Sequence, residues 1–315
     1  MITRPDEGQQ ADLPPRPMIT GFDHAVIAVR DLDSAAARFR QLGFEIAAGG
    51  PYVGIGTRNA FIRFGLASIE LQTVESEPHA ASTNLAGPPL LDLVHTREAS
   101  LAGYALAIDN IDRAAAQLGR TGLSGFTGLT PEGPFLMKRR APDGSDIAWR
   151  VMLVGGAAWR RPWPMLVQWD TPDKQRLAAE PPGAHPNGIT GIRGIAVAVA
   201  NLDTAASIYQ EHLGLPPGES GDVPALGARG ITYHVGTCEI HLLTPSGEGR
   251  VMQILGEMGE GPFELTLAAR DVERTRRALA EAGVTLTPHP TTPGALVIPP
   301  EQTLGVPLAL AAEHA

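Results

Sequence analysis

Apolar and polar positions along this chain fall into one pattern that is used repeatedly. From Ile19 to Val29 the residues are mostly apolar or small, and a polar turn, Arg30-Asp31-Leu32-Asp33, follows. A run of this kind bounded by turn residues predicts a buried strand. The next stretch carries Ala35, Phe39 and Leu42 at helical spacing and stops at Gly43. That spacing predicts a helix, with Asp33 as its N-cap. Phe44 to Ala48, Asn59 to Phe64 and Ser68 to Val74 read as three short strands, separated by a glycine-rich loop at Gly49–Gly56 and a turn at Gly65-Leu66-Ala67. Gly54-Ile55-Gly56 lacks the third glycine of a phosphate loop and reads as a turn.

The same order returns three times. Leu101–Ile108 is a strand, Asp112 caps a helix over Arg113–Gly119, and Phe135–Arg140 and Asp146–Val154 supply later strands. Ile189-Thr190-Gly191 then repeats Ile19-Thr20-Gly21, and Asn201-Leu202-Asp203 repeats Asp31-Leu32-Asp33. A fourth unit opens at Phe263–Leu267, continues as a helix over Val272–Ala282 and ends at Leu308–Leu310. Four strand-helix-strand-strand-strand (βαβββ) units make an α+β chain of two tandem domains, 19–155 and 189–315. Residues 1–18 read as a disordered tail, polar and proline-rich without the apolar centre of a signal peptide. Residues 156–188 carry six prolines between Pro162 and Pro186 and read as an inter-domain linker, with an extended segment at Pro164–Asp170.

Composition narrows the function classes. With 43% hydrophobic and 19% charged residues, the chain is that of a soluble globular protein. A net charge of -9 and the absence of a basic stripe argue against nucleic acid or an anionic membrane as partner. The single cysteine, Cys238, excludes an internal disulfide and fits a reducing, cytoplasmic setting. Lys138-Arg139-Arg140 is the only dense basic cluster and reads as a solvated strand end.

Strand alternation selects candidate chemistry. It puts His24, Val26 and Ala28 on one face of the first strand, and Ala25, Ile27 and Val29 on the face that meets the helix. Glu70 and Gln72 face the same way as His24, and Asn59, Phe61 and Arg63 share a face of the neighbouring strand. An imidazole, a carboxylate and a guanidinium therefore converge on one hollow. The downstream copy has Gly194 in place of His24 and His241 in place of Glu70, with His234 where the first has Arg63.

The repeated units, together with Phe22–Val29, Gly56-Thr57-Arg58-Asn59 and Ile69-Glu70-Leu71, resemble the vicinal oxygen chelate superfamily, and its glyoxalase-like proteins most of all. Trp169-Asp170 and His185–Gly188 are similar to that subgroup too. The superfamily includes glyoxalase I, extradiol dioxygenases and the fosfomycin- and bleomycin-resistance proteins. The resemblance implies paired units curling their sheets round a cavity, and one divalent metal (Zn, Fe, Mn or Ni) held from first and fourth strands. The matching positions are His24, Glu70, Gly103 and Ala148 in the first domain, and Gly194, His241, Glu264 and Ala309 in the second. Only His24 and Glu70, or His241 and Glu264 with His234 as a neighbour, can ligate. The residues leave both a bound metal and a metal-free polar cavity open.

The expected function is the binding of a small organic molecule in the N-terminal cavity, with isomerase or lyase chemistry by proton abstraction next to a carbonyl. Glu70 is the expected base, Arg63 the oxyanion partner and His24 a ligand or second acid/base group. Asn59, Phe61, Gln72, Thr57 and Trp169 are expected to meet the substrate. The alternatives are non-catalytic sequestration, as in the resistance proteins, and a metal-dependent dioxygenase. Two domains complete the paired-unit cavity within one chain, which suits a monomer or a homodimer.

Overall fold

The structure, a computed structural model, describes residues 19–52, 54–120, 123, 130–141, 143–156 and 159–313. The expected tail, 1–18, lies outside the described residues. The first unit comprises β1 (Ile19–Val29), α1 (Leu32–Gln41), β2 (Ala47–Tyr52), β3 (Thr57–Phe64) and β4 (Ala67–Val74). Two short helices, α2 (Glu77–Ala81) and α3 (Gly87–Thr96), lead to β5 (Ala99–Ile108), α4 (Ile111–Arg120), β6 (Glu132–Arg140), β7 (Asp146–Leu153) and β8 (Met165–Trp169). A further helix, α5 (Asp173–Ala179), precedes β9 (Ile189–Ala198), α6 (Leu202–Ser207), β10 (Glu219–Val223), β11 (Ala228–Val235) and β12 (Cys238–Pro245). After α7 (Arg250–Met258) come β13 (Gly261–Ala269), α8 (Val272–Glu281), β14 (Thr287–Pro288), β15 (Leu296–Ile298) and β16 (Leu308–Ala312).

Two eight-stranded sheets result, ordered β2-β3-β4-β1-β5-β8-β7-β6 and β10-β11-β12-β9-β13-β16-β15-β14. Each is two four-stranded units joined through antiparallel first strands, β1 with β5 and β9 with β13. The order corrects two expectations. Residues 165–169, inside the segment read as a linker, are the fourth strand of the second unit and pair with β5 and β7. Met165 therefore stands opposite Ala105 as Glu70 stands opposite Val26, so the position matching Glu70 is Met165 and not Ala148.

Helix starts lie two residues earlier than the sequence suggests. Asp31, not Asp33, accepts from the Ser34 backbone N–H at 2.7 Å, and Asn110, not Asp112, accepts from Arg113 at 2.8 Å. Asn201 and Asp271 cap the other two units in the same way. An acidic or amide side chain directly after the first strand meets the bare N–H groups of the first turn.

The glycine-rich stretch after α1 also departs from expectation, because strand β2 runs through Gly49 and Gly50 to Tyr52. A Cβ on Gly49 would stand 2.0 Å from Asn59 Oδ1, and the Gly50 N–H donates to that same oxygen at 3.0 Å. Glycine is there to admit the Asn59 amide, not to make a loop.

Alternation sorts the side chains as the pattern requires. Ala25, Ile27, Val29, Ile69 and Leu71 join Phe39 of α1 in a core that also takes in Ile195, Leu242 and Leu267 of the second sheet. Val26 and Ala28 belong to a separate concave-side cluster with Leu90 of α3, Trp149 and Trp159.

Arg160 ties the domains together. Its guanidinium donates to Leu101 O at 3.3 Å, to Pro262 O, to Met258 O at 3.4 Å and to Gly259 O at 3.1 Å. Burial pushes its pKa down to about 10, with the nearby charge of Arg97 acting in the same direction. Carbonyls at the end of α7 and the start of β13 lose a charged donor if this side chain is removed. Arg160→Ala is expected to cost about 2–3 kcal/mol, measured by urea unfolding of the full chain.

Candidate functional site

The concave face of the first sheet frames a hollow open to solvent, with about 890 Å³ of empty space when the solvent at its mouth is counted. His24 from β1, Glu70 and Gln72 from β4, and Phe61 and Arg63 from β3 line one half. Trp149, Met165 and Trp169 of β7 and β8 line the other, with Arg176 and Glu180 entering from the α5 segment.

At the floor, His24 Nε2 lies 3.7 Å from Glu70 Oε2, and the two side chains are 16% and 9% exposed. Each is held from behind. Asp23 Oδ1 is 2.6 Å from His24 Nδ1, and Trp169 Nε1 donates to the other Asp23 oxygen at 2.6 Å. Asn59 Nδ2 donates to Glu70 Oε1 at 2.6 Å. Burial is the largest single effect on His24 and disfavours its charged form. The hydrogen bond and charge of Asp23, helped by Glu70 and opposed by Arg176, outweigh it, so the His24 pKa is raised above its ordinary value.

Asp23 is a residue that alternation hides, since it neighbours His24 and should point to the opposite face. A register shift between Phe22 and His24 in the β1–β5 pairing turns both side chains into the cavity.

Arg63 does not stand ready for an oxyanion, as the sequence suggests. Its Nη1 and Nη2 donate to the two Glu180 oxygens at 2.9 and 3.0 Å. Arg139 grips the same carboxylate, through Nη1 to Oε1 and through Nη2 to Oε2 at 2.6 Å. The basic triplet is therefore divided by alternation, with Lys138 and Arg140 pairing outward with Asp146. Burial lowers the Arg63 pKa against the attraction of Glu180. Guanidiniums of Arg63 and Arg139 lie 4.4 and 5.0 Å from the Phe61 ring centroid, and Arg176 lies 3.4 Å from that of Trp169.

Two residues expected to meet substrate stand behind the wall instead. Asn59 fixes Glu70, and Thr57 accepts from Gln72 Nε2 at 3.1 Å. Phe61, Gln72 and Trp169 are on the wall itself. Sequence reasoning missed Asp23, Arg139, Trp149, Trp159, Arg176 and Glu180. The inward phase of Arg139 was available from alternation, whereas nothing along the chain links Glu180 to Arg63.

In the second domain His241 and Glu264 line one pocket with His289, each engaged by a neighbouring side chain, and His234 stands outside it. His241 Nδ1 is 3.0 Å from Thr232 Oγ1, and Glu264 accepts from His289 Nε2 at 2.9 Å. His234 lies opposite Glu239 on the neighbouring strand and is half exposed. A Cβ on Gly194, the residue standing where the first domain has His24, would lie 3.1 Å from Glu239 O and 3.4 Å from His241 Nε2.

The residues do not fit the metal centre of the superfamily. Among the described residues no group of three or more His, Cys, Asp or Glu side chains is disposed to hold an ion. At the positions matching His24 and Glu70, the second unit of the first domain has Gly103 and Met165, and a three-ligand site cannot be assembled from the pair that remains.

Paired βαβββ units closing round a polar-floored hollow define the glyoxalase, bleomycin-resistance and dioxygenase class of fold, and residues 191–297 match that superfamily. Residues 22–213, more than half of the chain, match the glyoxalase-like domain, and the chain belongs to that family. Among solved structures, a mutant of 4-hydroxymandelate synthase from Streptomyces coelicolor is 15% identical, with a TM-score of 0.64 over 94% of this chain and 93% of that one. A hypothetical protein from Staphylococcus aureus is 13% identical, with a TM-score of 0.58 over 92% and 98%. At these identities the likeness is one of fold. No curated protein matches the chain. No described helix is long and apolar enough to cross a membrane.

Proposed function

We propose that the N-terminal cavity carries out acid–base chemistry on a small organic molecule, taking a proton from carbon next to a carbonyl. The observation that carries this reading is the facing pair, His24 Nε2 and Glu70 Oε2, 3.7 Å apart on the cavity floor. Asn59 occupies Oε1 of Glu70 and leaves Oε2 toward the hollow. Glu70 accepts the proton from carbon, and the electron pair moves to the carbonyl oxygen as an enolate. The His24 imidazolium, its Nδ1 proton held by Asp23, gives its Nε2 proton to that oxygen. Return of a proton to carbon completes an isomerisation, and expulsion of a neighbouring group completes an elimination. Arg63 has no part in this step, because Glu180 holds its guanidinium. A dioxygenase reading is not carried forward, since the donor set for a metal does not assemble.

The test is solvent exchange. The full chain is incubated in deuterium oxide with a panel of small 2-oxo acids, aldehydes and ketones, and loss of the C–H signal is followed by proton NMR. Exchange that depends on Glu70 supports the proposal. Saturable binding without exchange anywhere in the panel makes the protein a binding module instead.

A further inference from the structure

The cavity contains polar groups that proton transfer leaves without a task. Gln72 Oε1, an acceptor, and Trp159 Nε1, a donor, are buried and have no hydrogen-bond partner. Both residues are on the cavity wall, and each is 4% exposed. Buried polar atoms in native proteins nearly always have partners, and an unmet one is costly. Gln72 lies two residues beyond Glu70, on the same face of β4. Its Nε2 is committed to Thr57, which leaves the carbonyl oxygen as the atom in want of a donor.

A second imbalance lies near the α5 segment. Arg63 and Arg139 share one carboxylate, that of Glu180, with side chains 10%, 15% and 5% exposed. Two buried guanidiniums on one carboxylate leave a positive charge unmatched, and unmatched buried charge is costly. Arg139 Nε is buried and unpaired as well. Over the whole lining, Arg63, Arg139 and Arg176 oppose Asp23, Glu70 and Glu180, so the proton on His24 tips the cavity positive. Flat apolar faces adjoin these charges: Trp149 lies 5.2 Å from Trp169 and 6.1 Å from Tyr52 between ring centroids.

We infer that the ligand of this cavity is a small aromatic carboxylate bearing a hydroxyl group away from the carboxylate. The carboxylate offsets the net positive charge of the cavity and accepts from Arg139 Nε. The ring packs among Phe61, Trp149 and Trp169. A hydroxyl offers the two roles these atoms lack, a donor for Gln72 Oε1 or an acceptor for Trp159 Nε1. The inference rests on the N-terminal cavity being the ligand site of the proposed function, and it names the groups by which that cavity recognises a ligand.

The probes are 4-hydroxybenzoate, its neutral analogue 4-hydroxybenzamide, and benzoate, each titrated into the full chain by calorimetry and by tryptophan fluorescence. The acid is expected to bind about tenfold more tightly than the amide and about tenfold more tightly than benzoate. Arg139→Gln is expected to erase the first difference, and Gln72→Leu the second. Equal affinity for acid and amide, or no saturable binding of 4-hydroxybenzoate at millimolar concentration, overturns the inference. Both comparisons are made on the wild-type protein and do not depend on a variant folding. Selective binding of the acid with no proton exchange on any carbonyl compound would sink the acid–base reading and leave the ligand class standing.

Discussion

Glu180→Ala is expected to cost about 3–5 kcal/mol of stability, among the largest losses from a single side chain in this fold. The carboxylate takes four hydrogen bonds, two from Arg63 and two from Arg139. Its removal leaves two buried guanidiniums facing one another with no counter-charge. The desolvation cost of both is then unopposed, and their mutual repulsion adds to it. Replacing all three together, as Arg63→Met, Arg139→Met and Glu180→Leu, should recover most of the loss, because apolar side chains of similar volume need no partner. Chemical unfolding of the two variants beside wild type checks both statements. An alanine variant as stable as wild type would show that the carboxylate does not hold the pair.

Glu70→Gln is expected to lower the rate of solvent exchange by about 10²–10⁴-fold, the usual worth of a positioned general base. The amide oxygen can still accept from Asn59, so the side chain stays in place while its basicity is lost. Ligand affinity should change little, and the effect should fall on turnover rather than on half-saturation. An exchange rate within a few-fold of wild type would remove Glu70 from the reaction.

Much of this arrangement was legible in the residues, and the reason lies in period-two alternation. His24, Glu70, Gln72 and Arg63 share the concave face because neighbouring strands present every second side chain to the same side. The duplication was legible for a similar reason: Ile19–Val29 and Ile189–Val199 are the same buried strand written twice. Legibility failed where the chain breaks its own period or where contact partners are remote. Asp23 enters the cavity through a register shift that leaves no mark in composition. Glu180 follows a proline-rich segment and meets Arg63 only because Met165–Trp169 has joined the first sheet. The segment looked like a linker because five residues of strand among six prolines give too short a periodic signal to separate from loop.

The account depends on His24 being an imidazole whose charge is fixed by two carboxylates inside the cavity. Histidine-edited NMR titration of the wild-type chain, Asp23→Asn and Glu70→Gln reads this directly. Stability follows the same proton: with a raised folded-state pKa, the contribution of His24 is full below the ordinary histidine value and is lost as pH rises through the folded one. The predicted result is a His24 transition above that ordinary value in wild type, moving down in each variant and further in Asp23→Asn. A transition at or below the ordinary value, unmoved by either substitution, would contradict it.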